Sequence, residues 1–318
     1  MLRTRWLTGF LMTAGLIAVL LASPATAQDT QTDQKQAQEG PPKIYDEAAD
    51  AKADIAAALV KAKKDNKRVL IQYGGNWCGW CHLLHKVFEE DSAVSRTLSY
   101  EYEVVMVDIG RWDKNIDLVE KYDAKIKEAG VPYLTVLSAD GEVVTNQNTS
   151  DLEEGDHHDV AKVNEFLTAN AAAPLSAETV LTEGIAKAKA EGKTAFVHLG
   201  APWCGWCHRL EDFMAAHEEL FAKYFVDIKI DTDRMDGGKE VAARLRGGAS
   251  GGIPWMVFLD GAGQEVINSD GPNGNVGYPV QPEEIAHFVR MLETVNVSEE
   301  DRVTFAKLLE EAGAEFRR

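Results

Sequence analysis

The four cysteines of this 318-residue chain form two closely spaced pairs. Each pair stands in the same six-residue motif, Trp77-Cys-Gly-Trp-Cys-His82 and Trp203-Cys-Gly-Trp-Cys-His208. Two thiols with two residues between them can close a disulfide and reopen it by exchange with another disulfide, through a mixed-disulfide intermediate. We therefore predict thiol–disulfide exchange at both motifs. The expected nucleophiles are Cys78 and Cys204, and the expected resolving thiols are Cys81 and Cys207.

Each motif follows an apolar run and precedes a helical pattern. The runs, at residues 69–73 and 195–199, are typical of buried strands. A cysteine at the turn from strand to helix meets unpaired backbone N–H groups and the positive end of the helix dipole, which together stabilise a thiolate. The local sequence therefore favours a reactive first cysteine in each motif.

The chain repeats itself along its length. Residues 61–82 and 187–208 align without a gap, so that each residue of the second copy stands 126 positions after its counterpart. Both copies continue with a helical stretch (83–98 and 209–224), a strand, a helical segment, an apolar run, a hairpin signal and a closing helix. We therefore predict two α/β domains, at 44–172 and 173–318. A helical tail, in which Val303, Phe305, Leu308 and Leu309 stand near helical spacing, ends the second domain.

Residues 1–27 have the pattern of an export signal. Two arginines precede an apolar run at 10–22, and Ala25-Thr26-Ala27 has the small-x-small form that signal peptidases cleave. The run is shorter than the ~20 residues of a membrane-spanning helix. We expect an exported protein, periplasmic or secreted, with no permanent membrane span. Its mature chain would begin at Gln28 and continue through a disordered tether at 28–43.

The composition excludes several classes of protein. Hydrophobic residues make up 45% of the chain, which is enough for a sizeable folded core. A formal net charge of −18 argues against nucleic acid as a partner, because phosphate binding needs clustered lysines and arginines. Four cysteines are too few for a disulfide-stapled scaffold in a chain of this length.

Other readings of the cysteine motifs are open. A structural zinc site is disfavoured because the two pairs stand in separate repeats, far beyond the spacing of a zinc ribbon. Cys-x-x-Cys-His is also the attachment motif of c-type haem, but a strand precedes each motif and Val131-Pro132 or Ile253-Pro254 follows about fifty residues later, which a haem site does not need. We expect no metal and no cofactor besides redox-active disulfides. The alternative functions are a peptide-binding or assembly module with non-catalytic cysteines and, less favoured, a dihaem protein.

The two motifs, the later Val-Pro or Ile-Pro and the order of elements resemble the thioredoxin family, here as a tandem duplication of the exported bacterial thiol–disulfide interchange type. The resemblance implies two thioredoxin-like domains, each with a central mixed sheet flanked by helices. It implies a protein thiol–disulfide oxidoreductase whose partners are protein thiols and disulfides, with a membrane electron donor if it works as a reductase. Whether it works as a reductase or an isomerase is left open.

The resemblance also implies where substrates bind. Pro132 and Pro254 would be cis and lie against the cysteines, and Val131 and Ile253 would offer their backbone to an incoming peptide. The tryptophans of the motifs would add an apolar docking surface: Trp77, Trp80, Trp203 and Trp206.

The chain departs from the family six residues before each first cysteine, where a buried acid usually relays a proton from the second cysteine. Gln72 and His198 stand there instead. Gln72 cannot relay a proton, whereas His198 could if it titrates near neutral pH. We therefore name His198 as a proton-relay candidate and expect the two sites to differ in their acid–base behaviour.

Overall fold

A computed structural model describes residues 42–317 of the chain, which contain two successive sets of α/β elements. The predicted export signal at 1–27 and residues 28–41 of the predicted tether lie outside the described residues. The helix that ends the first set stops at Ala169, and the helix that begins the second set starts at Ala177. These two ends flank the boundary predicted at 172/173, which stays a prediction.

The first set runs from residue 51 to residue 169. Its helices are α1 Ala51–Asp65, α2 Gly79–Glu90, α3 Ser92–Glu101, α4 Ile116–Lys121, α5 Ile126–Ala129 and α6 Val160–Ala169, with a 3₁₀ turn at Thr149–Leu152. Its strands are β1 Arg68–Gly74, β2 Tyr102–Asp108, β3 Tyr133–Leu137, β4 Val143–Asn148, β5 Glu153–Glu154 and β6 His157–His158.

The second set follows the same order, except that the single helix α10 stands where the first set has α4 and α5, and it adds a helix at its end. Its helices are α7 Ala177–Glu191, α8 Gly205–Ala216, α9 Glu218–Tyr224, α10 Gly238–Leu245, α11 Pro282–Thr294 and α12 Glu299–Gly313, with a 3₁₀ turn at Ala314–Arg317. Its strands are β7 Thr194–Gly200, β8 Phe225–Asp231, β9 Trp255–Leu259, β10 Glu265–Asn268, β11 Asp270–Gly271 and β12 Gly274–Asn275.

Each set forms one four-stranded mixed sheet, in the order β2-β1-β3-β4 and β10-β9-β7-β8. The strand before each cysteine motif pairs in parallel with the next strand and antiparallel with the strand after the proline. Six of the seven residues in both β1 and β7 are buried, because helices cover both faces of each sheet. A strand buried on both faces reads as a continuous apolar run, which is the pattern that predicted these strands. The α/β fold class is confirmed.

The predicted helical stretches after the motifs are each two helices, not one. Asp91 ends α2 with an extended backbone, and its side chain accepts hydrogen bonds from the backbone N–H groups of Ala93 and Val94, so that it caps a new helix, α3. His217 separates α8 from α9 in the same way, although without a side-chain cap. An aspartate that caps a new helix competes with continuation of the preceding helix. Asp91 was therefore a local signal for a break, although the apolar periodicity continued across it.

The C-terminal tail is the expected helix, α12, and it packs on the second set. Phe305 and Leu309 are buried in that core, but Val303 is 65% exposed, so its place in the predicted apolar stripe was wrong. No helix among residues 42–317 is both long enough and apolar enough to cross a membrane.

The two sets touch through the C-terminal end of α1 and the segment that follows β8. Arg234 donates to both carboxylate oxygens of Glu101, at 3.2 and 2.8 Å, and to the backbone carbonyls of Asp65 and Asn66, at 2.6 and 2.9 Å. Its side chain is only 9% exposed. A guanidinium that satisfies four acceptors across a contact holds the two sets in a defined register.

Candidate redox sites

Both cysteine pairs are closed as disulfides at the start of a helix. The Cα atoms are 5.2 Å apart in Cys78–Cys81 and in Cys204–Cys207. Each first cysteine is the residue that caps the helix, and its Sγ accepts from the backbone N–H of the second cysteine at 3.1 Å. The same N–H is in place to stabilise negative charge on that sulfur after reduction.

The prolines named from the resemblance lie against the first cysteines. The bonds Val131–Pro132 and Ile253–Pro254 are both cis. Cys78 Sγ lies 3.5 Å from the carbonyl oxygen of Val131, and Cys204 Sγ lies 3.6 Å from that of Ile253. Both prolines are buried while the residues before them are half-buried, so the edge beside each reactive sulfur is a backbone edge.

The tryptophans of the motifs form the rim of each site. Trp77 is 37% and Trp203 64% exposed, while Trp80 is half-buried and its ring packs edge-on against His158 at 5.3 Å. Trp206 is 44% exposed and contacts Phe316 from the C-terminal 3₁₀ turn, with ring centroids 5.2 Å apart. Exposed aromatic rings beside a reactive sulfur are suited to binding apolar side chains.

Behind the first site, Tyr45 and Gln72 form a buried, uncharged pair. The hydroxyl of Tyr45 accepts from Nε2 of Gln72 at 2.8 Å. Gly74 lies between the Tyr45 hydroxyl and Cys81. A Cβ placed at Gly74 would overlap the hydroxyl and lie 2.6 Å from Cys81 Sγ. Burial raises the pKa of Tyr45 well above its ordinary value, so the hydroxyl stays neutral.

Asn76 holds Tyr45 in this place. Its Oδ1 accepts from the backbone N–H groups of Ile44 and Tyr45, at 2.9 and 3.0 Å, and its Nδ2 donates to the Tyr45 carbonyl at 2.9 Å. The second copy has Pro202 at the corresponding position, which offers no side-chain hydrogen bond. The tyrosine contact is therefore a property of the first site.

Behind the second site, the neighbours are charged. A Cβ at Gly200 would lie 3.6 Å from Cys207 Sγ and 3.8 Å from Oε1 of Glu211, so the same small residue separates the sulfur from a carboxylate. Glu211 is buried and forms an ion pair at 2.8 Å with Lys229 of β8. Lys229 also lies 2.8 Å from Asp65 Oδ1, at the end of α1.

His198, the predicted relay, takes part in a different pair. Its Nε2 lies 3.0 Å from Oδ1 of Asp227, although the direction of the ring nitrogen is too poor for a hydrogen bond. This pairing lowers the pKa of Asp227, against the effect of burial. The three atoms nearest to the Gly200 position belong to Cys207 and Glu211, so Glu211 is the acid that the structure brings to the second cysteine.

Sequence reasoning missed Glu211, Tyr45 and Lys229. A signal for Glu211 was present, because it stands four residues after Cys207 and therefore on the same face of α8, one turn further along. Lys229 could have been found from strand register, since it pairs with His198 across β7 and β8. No local signal connects Tyr45 to Cys81, which follows it by 36 positions.

The repeated fold and the paired cysteines beside cis-prolines define a thioredoxin-like protein with a duplicated domain. Residues 50–139 match the family model described as thioredoxin-like. Residues 156–307 match the model Thioredox_DsbH, described as a protein of unknown function, DUF255. The two matches and the duplicated cysteine pairs support the thioredoxin family with duplicated domains, as the sequence predicts.

Comparison with individual proteins gives partial matches. No curated protein matches the chain. The solved disulphide isomerase from Xylella fastidiosa Temecula1 is 27% identical over 40% of this chain and 96% of its own, with a TM-score of 0.37. A structure described as DsbH Oxidoreductase is 24% identical over 36% of this chain and 79% of its own, with a TM-score of 0.29. Thioredoxin O2 from Arabidopsis thaliana is 20% identical over 30% of this chain and 78% of its own, with a TM-score of 0.24.

Proposed function

We propose that this protein is an exported thiol–disulfide oxidoreductase that exchanges disulfides with protein substrates at two separate sites. The observation that carries the proposal is the arrangement present twice: a disulfide whose first sulfur caps a helix and faces the carbonyl before a cis-proline. The helix start favours a thiolate, and the adjacent backbone edge suits an extended peptide.

Exchange proceeds in two displacements. In the reduced protein, the thiolate of Cys78 or Cys204 attacks one sulfur of the substrate disulfide. The substrate S–S bond breaks, a mixed disulfide forms, and the other substrate sulfur leaves as a thiolate that takes up a proton. The second cysteine then loses its proton and attacks the first, which releases the remaining substrate thiolate. The protein dithiol loses two electrons and two protons, and the substrate disulfide becomes two thiols.

The second displacement needs an acceptor for the proton of the resolving thiol. At the second site, the carboxylate of Glu211 adjoins Gly200 together with Cys207 Sγ, and we assign it as this acceptor in place of His198. At the first site, the Tyr45 hydroxyl is the polar group that adjoins Gly74 and Cys81. A neutral hydroxyl can donate a hydrogen bond to the Cys81 thiolate but does not take up its proton.

The mature chain would be exported by its N-terminal signal and begin at Gln28. Turnover as a reductase then requires a dithiol or membrane-bound electron donor, since the compartments that receive exported proteins are oxidising. N-terminal sequencing of protein recovered from that compartment tests the signal, and an intact Met1 would contradict it. No bound cofactor is needed, since the disulfides carry the electrons, and a Soret band in the purified protein would contradict this part of the proposal.

The activity is tested with three cysteine-to-serine variants: Cys78/Cys81, Cys204/Cys207 and all four together. Reduction of a peptide disulfide with dithiothreitol as electron donor should continue in each double variant and fall to the buffer rate in the quadruple variant. Equal rates in the quadruple variant and the unchanged protein would support the alternative, a peptide-binding module with idle cysteines. The exposed tryptophans at both rims are compatible with either function, so peptide binding alone does not separate them.

A further inference from the structure

Lys229 joins the second redox site to the first set of elements. Its ammonium group lies 2.8 Å from Oε1 of Glu211 on one side and 2.8 Å from Oδ1 of Asp65 on the other. The three side chains are 19%, 8% and 20% exposed, so water screens them only in part. The Glu211 carboxylate belongs to α8, the helix that also carries Cys207, and the Asp65 carboxylate belongs to the last turn of α1 in the first set.

The positions of the first copy that correspond to Lys229 and Glu211 do not hold a lysine–carboxylate pair. Met106 pairs with Gln72 in the β1–β2 register as Lys229 pairs with His198 in the β7–β8 register. His85 is the counterpart of Glu211, 126 positions earlier. The bridge therefore lies at the second copy alone, and one of its two acids, Asp65, comes from the first copy.

We propose that Asp65 is a positioning residue of the second redox site, and that by sharing Lys229 with Glu211 it holds the Cys204–Cys207 pair toward its disulfide form. The first domain would then tune the redox equilibrium of the second. This inference rests on the proposed exchange activity, since it concerns the same cysteines.

The direction in which Asp65 shifts the redox equilibrium follows from the net charge of the three side chains. Asp65, Lys229 and Glu211 together carry −1, because the lysine is shared between two carboxylates. Neutralising Asp65 leaves a balanced Lys229–Glu211 pair and removes net negative charge near Cys207. Less negative surroundings favour a thiolate, and stabilising the thiolate stabilises the dithiol form over the disulfide.

Other charged groups lie around this bridge and contribute to its electrostatics. Asp227 lies on the same strand as Lys229 and pairs with His198, while Lys64 and Lys67 act on Asp65. The pKa of Lys229 is raised by Glu211 and Asp65 although burial opposes the shift, and the pKa of Asp65 is lowered by the lysines around it. Asp65 and Lys229 therefore both stay ionised near neutral pH.

The test measures the equilibrium of the second pair with glutathione in the full chain. Cys78 and Cys81 are replaced by serine, so that only the second site reacts: protein dithiol plus glutathione disulfide gives protein disulfide plus two glutathione thiols. The variants are Asp65→Asn, which removes the charge, and Asp65→Glu, which keeps it. Asp140→Asn is the matched control, because it removes a carboxylate of the first set that pairs with Lys63 on an exposed surface.

Asp65→Asn should lower the equilibrium constant for disulfide formation by about threefold to tenfold, the range expected for one partly screened charge near the site. Asp65→Glu and Asp140→Asn should stay within about twofold of the parent. The first pair, measured with Cys204 and Cys207 replaced, should not respond to Asp65→Asn.

An equal constant for Asp65→Asn and Asp140→Asn would overturn the inference, even if both sites reduce substrates. An equal shift at both sites would also overturn it, because that would indicate a general loss of folding. Failure of the proposed function would look different: the glutathione equilibrium would still be measurable, but neither pair would accelerate substrate reduction.

Discussion

The hydroxyl of Tyr45 and the side-chain amide of Gln72 form a 2.8 Å hydrogen bond behind the first cysteine pair. Gln72 stands where the thioredoxin resemblance leads one to expect a carboxylate, and Tyr45 arrives from a segment before α1. The Tyr45 hydroxyl, a neutral group, adjoins Gly74 and Cys81. Behind the second site, the carboxylate of Glu211 adjoins Gly200 beside Cys207, so the duplicated halves differ in the polar groups behind their second cysteines.

Gly74→Ala should damage the first site, because the new methyl group would overlap the Tyr45 hydroxyl and crowd Cys81 Sγ. We expect a loss of about 1–3 kcal/mol in the free energy of unfolding, from overpacking. Gly200→Ala is the matched control in the second copy, since its methyl group would meet Cys207 at an ordinary 3.5 Å. Denaturant unfolding of both variants is the measurement, and equal stability of the two would show that Tyr45 does not occupy this space.

Arg234→Ala should weaken the contact between the two halves. It leaves the half-buried Glu101 carboxylate and the Asp65 and Asn66 carbonyls without their donor, at a cost of about 2–4 kcal/mol. Thermal unfolding monitored by calorimetry should then show the two halves unfolding in separate steps, or in steps further apart than in the parent protein. Arg244→Ala, which breaks an exposed pair with Glu178, should change stability by no more than about 1 kcal/mol.

Attachment of α12 should depend on pH through Asp301. Hydrogen bonds from Lys223, Tyr224 and Ser298 lower the pKa of this carboxyl from 3.8 to about 2. A lowered folded-state pKa means that the stabilisation is complete above about pH 4 and is lost as the pH falls toward 2. After screening, we expect the contribution to be about 1 kcal/mol.

An NMR titration of the Asp301 carboxyl carbon measures this directly. Hydrogen exchange in α12 should accelerate between pH 4 and pH 2 in the parent, with little pH effect through this group in Asp301→Asn. A midpoint close to 3.8 would contradict the prediction.

Phe316→Ala should make the second site more accessible to large substrates. Phe316 packs on Trp206 and beneath the Arg209 guanidinium, whose Cζ lies 4.3 Å from the ring centre. Losing this packing should weaken docking of the C-terminal turn by about 1 kcal/mol and shift the Trp206 emission to longer wavelength. With Cys78 and Cys81 replaced by serine, reduction of a folded protein disulfide should speed up relative to reduction of a small reagent. Val303→Ala, on the exposed side of α12, is the control, and an unchanged ratio in Phe316→Ala would show that the turn does not restrict access.

Much of this architecture was readable from local patterns. The continuous apolar runs before the motifs predicted the central strands, and the ungapped repeat of residues 61–82 at 187–208 predicted that the fold occurs twice. These predictions succeed because a strand buried on both faces and a helix that begins at a motif each leave their pattern in adjacent residues. The sequence analysis did not predict the helix breaks at Asp91 and His217, because the helices on both sides of each break bury apolar residues with the same period.

The sequence by itself determined which thiols can react: two cysteines one helical turn apart, at a strand-to-helix turn, in each copy. Only the tertiary structure decided which groups lie behind them. Tyr45, Glu211, Lys229 and Asp65 come from separate elements, and Asp65 from the other half of the chain. Their proximity depends on how strands pair and how the halves meet, and a short-range pattern holds no information about contacts between residues that are distant along the chain.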